Sequence, residues 1–313
     1  MRGIYITANN KFIEQAIALL NSIRCYDPDT PITLIPYDEN YKAIATRLSQ
    51  DYGVKIYPDL DFIERLSQQL YTIFGEGFFA RPNQFRKQAC WFGEYDEFLY
   101  IDTDIVVFEK IINNLDALQD KDFLCCDYQH KGGIANVFDS AIFETGALDE
   151  GDRHAIFNCG WWAARKGLFT EDDLYRVFSE CTAHPEYFDF SQKTSDQPII
   201  NYLILKNVPR DRRFNLVNRP GGAPGSWAGS TQFIREGGDR LLDPNYHNQP
   251  VQYLHWAGIR LAPGCPYWDI WQHYRYLNGD ERPPQEKVVK PKSKPWGDRL
   301  KQWLKQKIKH WFS

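Results

Sequence analysis

Two aspartates, Asp102 and Asp104, interrupt an apolar run in the stretch FLYIDTDIVVFE at residues 98–109. A buried carboxylate is unfavourable unless a cation, a hydrogen-bond donor or water compensates its charge. Two carboxylates separated by one residue suit a hard divalent cation, which prefers oxygen ligands. The alternative is a surface turn, a place where aspartate is common for local reasons.

The elements around these aspartates decide where they lie. Apolar runs alternate with segments of helical period over the first part of the chain: GIYITA, NKFIEQAIALLNSIRCY, PITLIPYD, YKAIATRLSQDYG and VKIYP. This alternation predicts an α/β fold with a parallel sheet covered on both faces. Ligands of such sheets bind beyond the carboxyl ends of the strands. Because EFLYID is typical of a strand and ends at Asp102, we expect both aspartates at that edge.

Other polar residues stand at predicted strand ends or helix starts. Asn158 interrupts the strand candidate HAIFNCGWWAARKG, and the short apolar strand candidate QYLHWAG carries His255. Asp196 and Gln197 open a helix that is expected to begin near Ser195. A turn-capping Asn, a helix-terminal acid and a core histidine are the structural explanations that these residues also allow. The Gly/Pro-rich stretch NRPGGAPGSWAG at 218–229 predicts a long mobile loop.

In their order along the chain, these segments resemble the family 8 glycosyltransferases, whose fold is called GT-A. The resemblance rests on TANNKF at 7–12, FRKQ at 85–88, FLYIDTD at 98–104, FNCG at 157–160, SDQPIINYL at 195–203, RFN at 213–215 and HWAG at 255–258. It implies a divergent member with one Rossmann-like α/β domain over residues 1–280. A mixed central sheet flanked by helices is expected.

The resemblance also implies roles for individual residues. Asp102, Asp104 and His255 would bind Mn²⁺ or Mg²⁺, and the imidazole ligand favours Mn²⁺. Arg86 would neutralise phosphate or hold the loop beside the ribose. The other residues implied on the nucleotide and diphosphate side are Thr7, Ala8, Asn9, Phe12, Thr103 and Gly258. Asn158, Asp196 and Gln197 would surround the donor sugar and its anomeric carbon.

The implied activity is transfer of a hexose from a nucleotide-sugar, a UDP-sugar by this resemblance, to a saccharide or glycolipid acceptor. Retention of the anomeric configuration is implied as well. A cation stabilises the departing diphosphate, and a carboxylate or amide can stabilise an oxocarbenium-like sugar. One departure concerns the family pattern H-x-x-G-x-x-K-P-W. Leu261 occupies the Lys position, and Arg260 is the nearest residue that could supply the charge.

Two other functions remain as alternatives. DTDIV also fits the first motif of haloacid-dehalogenase-type phosphatases, and GDRLLD at 238–243 fits a later acidic motif. That later motif should follow an apolar strand, whereas FIREG precedes it here. A protein of the same fold that binds a nucleotide-sugar or glycan without turnover is the second alternative, and the missing Lys is its support.

Charge is distributed unevenly along the chain. The net charge is −4, but the segment from residue 281 onward has ten Lys/Arg against three Asp/Glu and so carries +7. The acidic body lacks the basic face that nucleic-acid binding needs. Residues 281–295 predict a Pro-interrupted linker, and residues 296–313 predict a basic amphipathic helix rich in Trp. Such a helix favours an anionic membrane surface or packs on the acidic body.

Cysteine usage and the N-terminus bear on location. The seven Cys are an odd number without metal-ligand spacing, which favours reduced thiols. The first residues enter a strand at once and leave no room for a signal peptide. We therefore expect a cytoplasmic protein, peripherally associated with the inner face of the cell membrane.

Overall fold

The computed structural model describes residues 1–75, 82–126, 134, 137–191, 196–218, 225–230, 232–238 and 240–279. The predicted linker at 281–295, the predicted helix at 296–313, Ser195 and residues 219–224 of the predicted loop lie outside these ranges. No helix within them combines the length and the apolar character needed to cross a membrane.

The helices pack on both faces of a central sheet. They are α1 (Ile13–Tyr26), α2 (Lys42–Tyr52), α3 (Leu60–Phe74), α4 (Ala141–Glu144), α5 (Glu171–Ala183), α6 (Gln197–Asn207) and α7 (Trp268–Arg275). The longer 3₁₀ helices cover Pro82–Phe92, Ile111–Asp120 and Glu150–Ala155. Local signals place several ends: Gly53 adopts a left-handed conformation with φ +67° after α2, and Thr170 caps α5 by accepting a hydrogen bond from the Asp173 N–H.

The central sheet has seven strands in the order β3-β2-β1-β4-β7-β6-β8. These strands are β1 (Arg2–Ala8), β2 (Ile32–Pro36), β3 (Lys55–Ile56), β4 (Glu97–Ile101), β6 (Phe123–Cys125), β7 (Trp161–Arg165) and β8 (Arg213–Asn215). The sheet is mixed because β7 runs antiparallel to both of its neighbours, whereas the other pairs are parallel. This confirms the expected α/β architecture with a mixed sheet.

Two three-stranded sheets complete the described fold. One contains β5 (Ile105–Val107), β13 (Tyr253–His255) and β9 (Gly225–Trp227); the other contains β10 (Ile234–Gly237), β11 (Arg240–Asp243) and β12 (Gln249–Pro250). β4 belongs to the central sheet, and β5 pairs with β13. The Asp102-Thr103-Asp104 turn is therefore the point where the chain leaves one sheet for another, and this explains the polar residues between two buried strands.

The prediction that Asn158 lies within a strand was wrong. Residues up to Ala155 form a 3₁₀ helix, and β7 begins only at Trp161. Asn158 lies in the intervening turn, where its side-chain oxygen accepts a hydrogen bond from the Gly160 N–H at 2.9 Å. Because β7 is antiparallel, with Trp161 opposite Ile101, its amino end lies at the carboxyl end of β4. Asn158 still reaches the edge of the sheet where the aspartates lie.

Candidate active site

Asp102, Asp104 and His255 form a compact cluster at this edge. One ligand atom from each lies within 4.8 Å of the others. The His255 Nε2 is 3.1 Å from the Asp104 Oδ1. The aspartates follow β4, and His255 ends β13, which pairs with β5 directly after Asp104. Two sheets thus bring together residues more than 150 positions apart in the chain.

The electrostatics of the cluster suit a divalent cation. Burial raises the pKa of Asp102 and outweighs the opposing attraction of Lys87. Burial would also raise the pKa of Asp104, but the charge and hydrogen bond of His255 outweigh it and lower that pKa. Two carboxylates and one imidazole are a donor set that Mn²⁺ accepts readily, and they leave positions open for ligand oxygens. The three residues therefore fit a site for a divalent cation.

Lys87 lies at the candidate site, and the sequence interpretation did not single it out. Its Nζ lies 2.7 Å from an Asp196 carboxylate oxygen and 3.8 Å from Asp102 Oδ1, and its side chain is almost fully buried. The ammonium group also lies over the rings of Tyr100 and Trp162, at 5.2 and 5.4 Å from their centroids. Burial disfavours the charged form, but the two carboxylates prevail and raise the Lys87 pKa well above its usual value. Lys87 is a buried cation beside the cluster.

Two cavities open at the cluster and share a wall made of Lys87, Asp102, Asp104 and Asp196. The aromatic cavity, of about 270 Å³, is further lined by Thr7, Phe12, Gln15, Tyr37, Gln84, Tyr100 and Thr103. The amide cavity, of about 230 Å³, is further lined by Asn158, Cys159, Gly160, Gln197, His255, Ala257 and Gly258. The charged groups thus lie between an aromatic compartment and a polar one.

Several solved structures that match this architecture are glycosyltransferases. The galactosyltransferase LgtC, in complex with donor and acceptor sugar analogues, superposes with a TM-score of 0.57 at 15% identity over 90% of this chain and 98% of its own. The chain has the GT-A fold. The WbbM bifunctional glycosyltransferase (TM-score 0.56, 14% identity) is matched over 96% of this chain, which spans about half the length of WbbM. GlyE of Streptococcus pneumoniae (0.50, 15%) is matched over 98% of this chain and 64% of its own.

At the level of sequence, no protein-family model and no curated protein matches the chain. The predicted GT-A fold is confirmed by the structures alone. Roles of individual residues must therefore be judged from the geometry of this site.

Most of the predicted site residues line the two cavities of the GT-A domain. Thr7, Phe12 and Thr103 line the aromatic cavity, and Asn158, Gln197 and Gly258 line the amide cavity. The sequence interpretation did not single out Gln15, Tyr37, Gln84, Tyr100, Cys159, Gly160 or Ala257. Tyr100, Cys159, Gly160 and Ala257 lie inside the FLYIDTD, FNCG and HWAG segments, whereas Gln15, Tyr37 and Gln84 carried no spacing signal that could have identified them.

Arg86, Asn9, Ala8 and Arg260 lie outside the lining of both cavities. The buried Arg86 guanidinium pairs with Glu39 at 2.7 Å and with Glu64, so it holds the loop after β2. The Asn9 amide is engaged locally, since its oxygen accepts from the Lys11 N–H and its nitrogen donates to Asp38 at 2.6 Å. Ala8 is buried, and Arg260 is exposed to solvent.

The different directions of Arg86 and Lys87 have a local cause. Both belong to the 3₁₀ helix Pro82–Phe92. With three residues per turn, consecutive side chains leave such a helix about 120° apart. Of the two basic residues in FRKQ, only Lys87 can therefore face the cavities, and the sequence alone did not reveal which one.

Asp196 and Gln197 present different groups to the amide cavity. Asp196 is the residue preceding α6, is almost fully buried, and forms the ion pair with Lys87. The Gln197 Oε1 accepts a hydrogen bond from the Cys159 N–H at 3.4 Å. This contact directs the amide oxygen toward the backbone. Asp196 is thus the residue that offers a carboxylate in this cavity beyond the metal cluster.

Proposed function

We propose that the protein is a metal-dependent glycosyltransferase that moves a hexose from a nucleotide-sugar, a UDP-sugar, to a saccharide or lipid-linked acceptor. One observation carries the proposal: Asp102, Asp104 and His255 converge where an aromatic and a polar cavity meet, at the ligand edge of a GT-A fold. A diphosphate bound between the two cavities would place its nucleoside and its sugar on opposite sides of the cluster.

The different linings of the two cavities support one orientation of the donor. Phe12 and Tyr37 line the aromatic cavity and pack edge to face, with centroids 6.2 Å apart, so they offer an aromatic surface to a base. Asn158, Asp196 and Gln197 provide hydrogen-bonding groups for sugar hydroxyls in the amide cavity. We therefore assign the nucleoside to the first cavity and the transferred sugar to the second.

The polar groups around the base favour uracil over guanine. Away from the shared wall, the aromatic cavity is lined by the neutral side chains of Thr7, Gln15 and Gln84. Guanine presents adjacent N–H donors that pair well with a carboxylate, which only accepts hydrogen bonds. The nearby Asp38 carboxylate already accepts from Asn9 and from the Asn40 N–H. Amides can both donate to and accept from the edge of uracil.

The residues of the site can support both partners in the reaction. The bond between the anomeric carbon and the diphosphate breaks, its electron pair remains with the diphosphate, and the acceptor oxygen bonds to the carbon while its proton passes to the departing diphosphate. A divalent cation on the Asp102, Asp104 and His255 side chains would neutralise charge on the leaving group. The Asp196 carboxylate can stabilise the positive charge that develops on the sugar. Retention of configuration is part of the proposal.

Lys87 gives the site a positive charge of its own. Leu261 stands where the family pattern has the Lys that contacts the diphosphate, and Arg260 is exposed. The Lys87 ammonium forms part of the wall shared by the two cavities. We propose that Lys87 orients Asp196 and balances the negative charge of the donor.

A thermal-shift screen of UDP-, GDP- and dTDP-sugars with and without Mn²⁺ tests the donor assignment. Ligand at 100 times its Kd stabilises a fold by about 2.7 kcal/mol, so the correct donor should raise the Tm clearly when metal is present. Asp104→Asn should abolish the shift. If no nucleotide-sugar stabilises the protein with Mn²⁺, the proposal is wrong.

Turnover assays separate the two alternatives. Release of phosphate from a phosphomonoester without any acceptor would favour the phosphatase. In the fold, however, Asp243 of its second motif lies buried on β11 and lines neither cavity. Donor binding with neither transfer nor donor hydrolysis would favour the non-catalytic binding protein.

We also propose that residues 296–313 bring the protein to an anionic membrane surface on the cytoplasmic side, near a lipid-linked acceptor. The sequence supports this through its basic residues opposite Trp and Leu. Flotation with anionic liposomes should recover the full chain and leave a chain lacking 285–313 in the soluble fraction. Equal partitioning of both forms would contradict the membrane proposal and leave the donor proposal unaffected.

A further inference from the structure

Gly160 contacts three separate parts of the site. Its carbonyl oxygen accepts a hydrogen bond from the Asp102 N–H at 2.8 Å. Its own N–H donates to the Asn158 side-chain oxygen at 2.9 Å. On its remaining side, the bare Cα faces the His255 imidazole. One residue without a side chain therefore lies between the aspartate turn, the amide cavity and the histidine.

The space above Gly160 is filled by the histidine ring. A Cβ placed on Gly160 would lie 2.8 Å from His255 Nδ1 and 2.9 Å from Nε2, and closer still to Cε1. Real Cβ atoms essentially never approach other atoms this closely. The Gly160 backbone does not have the positive φ that would itself favour glycine. Space for His255, and not backbone conformation, is the constraint at this position.

His255 has little room to move aside. It is 4% exposed, and its Nε2 lies 3.1 Å from Asp104 Oδ1. Its backbone is held in β13, between β5 and β9. A methyl group at position 160 would therefore push the imidazole off its place beside Asp104, because the strand that carries it is paired on both sides.

We propose that Gly160 is a positioning residue. Because it has no side chain, it leaves a space, here called the seat, that the His255 imidazole occupies. In this seat the imidazole contacts Asp104 and completes the cation site. The part of this inference that concerns the cation rests on the proposed function. The seat itself concerns only the packing of two residues and can be tested without metal.

The experiment compares Gly160→Ala, His255→Ala and the double variant with the unmodified protein. The Kd for Mn²⁺ is measured by the EPR signal of the free ion, and the Tm is measured without metal. Gly160→Ala should raise the Kd at least about tenfold, as the loss of outer contacts to metal ligands commonly does. In the His255→Ala background it should change the Kd less than about twofold, because the group that it displaces is gone.

The Tm measured without metal should show the same dependence on His255. Gly160→Ala should lower the Tm of the unmodified protein and leave that of His255→Ala nearly unchanged. Gly151→Ala is the matched control, since the three atoms nearest to its Cβ would all belong to the guanidinium end of the flexible Arg210 side chain, the first at 2.8 Å. That control should leave both the Kd and the Tm close to their original values.

Each of the following results would either support or overturn the proposed role of Gly160. Mn²⁺ binding by Gly160→Ala at the original Kd, or an equal loss of Tm with and without His255, would overturn it. If Gly160→Ala fails to fold and the double variant folds, the seat is supported; if both fail to fold, it is contradicted. Absence of Mn²⁺ binding by the unmodified protein would refute the proposed function, while the Tm comparison would still decide the seat.

Discussion

The Lys87 ammonium lies 2.7 Å from an Asp196 carboxylate oxygen, with both side chains almost completely buried. This ion pair joins the 3₁₀ helix before β4 to the start of α6, and it stands between the two cavities. Its Lys also attracts the metal-ligand candidate Asp102 at 3.8 Å. The pair therefore connects the proposed diphosphate position to the proposed sugar position.

Replacing Lys87 by methionine should destabilise the protein and impair transfer. Removing one member of a buried ion pair leaves an uncompensated charge, and the free energy of unfolding should fall by about 3 kcal/mol. Urea denaturation measures this loss. Transfer should fall at least about 100-fold, because charge stabilisation at the reacting centre is removed.

The matched control for this change is Lys166→Met. Lys166 is exposed, and its substitution should alter the free energy of unfolding by no more than about 0.5 kcal/mol. A Lys87→Met protein as stable and as active as the original would show that the buried pair has no functional role.

Arg86→Met should weaken nucleotide binding without slowing the bound complex. Arg86 ties Glu39, in the loop after β2, to Glu64 of α3. That loop also carries Asp38, the partner of Asn9. Without Arg86, the loop after β2 should be less ordered before the nucleotide binds. The Kd for UDP with Mn²⁺ should then rise about tenfold, since the loop must be ordered on binding.

Isothermal titration and steady-state kinetics measure the two effects of Arg86→Met. Arg65→Met is the control, because Arg65 lies next to Glu64 on α3 and its exposed side chain pairs instead with Glu171 of α5 at 2.6 Å. A fall in kcat with an unchanged Kd would mean that Arg86 acts on the reaction and not on the loop.

Asp196→Asn should lower kcat with little effect on UDP binding. The nucleotide occupies the other cavity in our assignment, whereas the carboxylate stabilises charge on the sugar. Loss of one such group typically lowers kcat by about 100- to 1,000-fold. Gln197→Ala should have a smaller effect, because its amide oxygen is already engaged by the Cys159 N–H. Equal effects of the two substitutions on kcat would contradict this division of roles.

Asp243→Asn should stabilise the protein at neutral pH. Burial raises the pKa of Asp243 and outweighs the hydrogen bond from the Asn245 N–H. A carboxyl with a raised folded-state pKa adds stability below its unfolded pKa of about 3.9 and loses that contribution as the pH rises through the folded value. Asparagine keeps the hydrogen-bond acceptor without the charge.

Urea midpoints between pH 3 and pH 8 measure the effect of Asp243→Asn, which should be largest at neutral pH and vanish in acid. Asp122→Asn should change the stability at neutral pH in the opposite direction. The Arg212 hydrogen bond lowers the pKa of Asp122, so its contribution is present above the unfolded pKa and is lost as the pH falls through the lowered value. Asp122→Asn should therefore destabilise at pH 7. A neutral-pH loss of stability in both variants would contradict the assignment for Asp243.

The sequence by itself determined the α/β class and the edge of the sheet that carries the acid pair Asp102 and Asp104, whereas His255 was added as a third ligand only by the family resemblance. These features follow from local patterns: apolar period, an acid pair directly after a strand, and glycine or threonine at helix ends. Thr170 and Gly53 illustrate this, since each acts through backbone groups a few residues away. Such signals survive in a single sequence because neighbours in the chain are also neighbours in space.

Only the tertiary structure decided which side chains meet at the site. The turn of a 3₁₀ helix sends Lys87 inward and Arg86 outward, and the reversed direction of β7 brings Asn158 and Gly160 to the aspartates. His255 reaches Asp104 because β13 pairs with β5 across more than 140 residues. Strand direction and pairing partner are set by packing of the whole domain, and no periodicity or spacing along the chain records them.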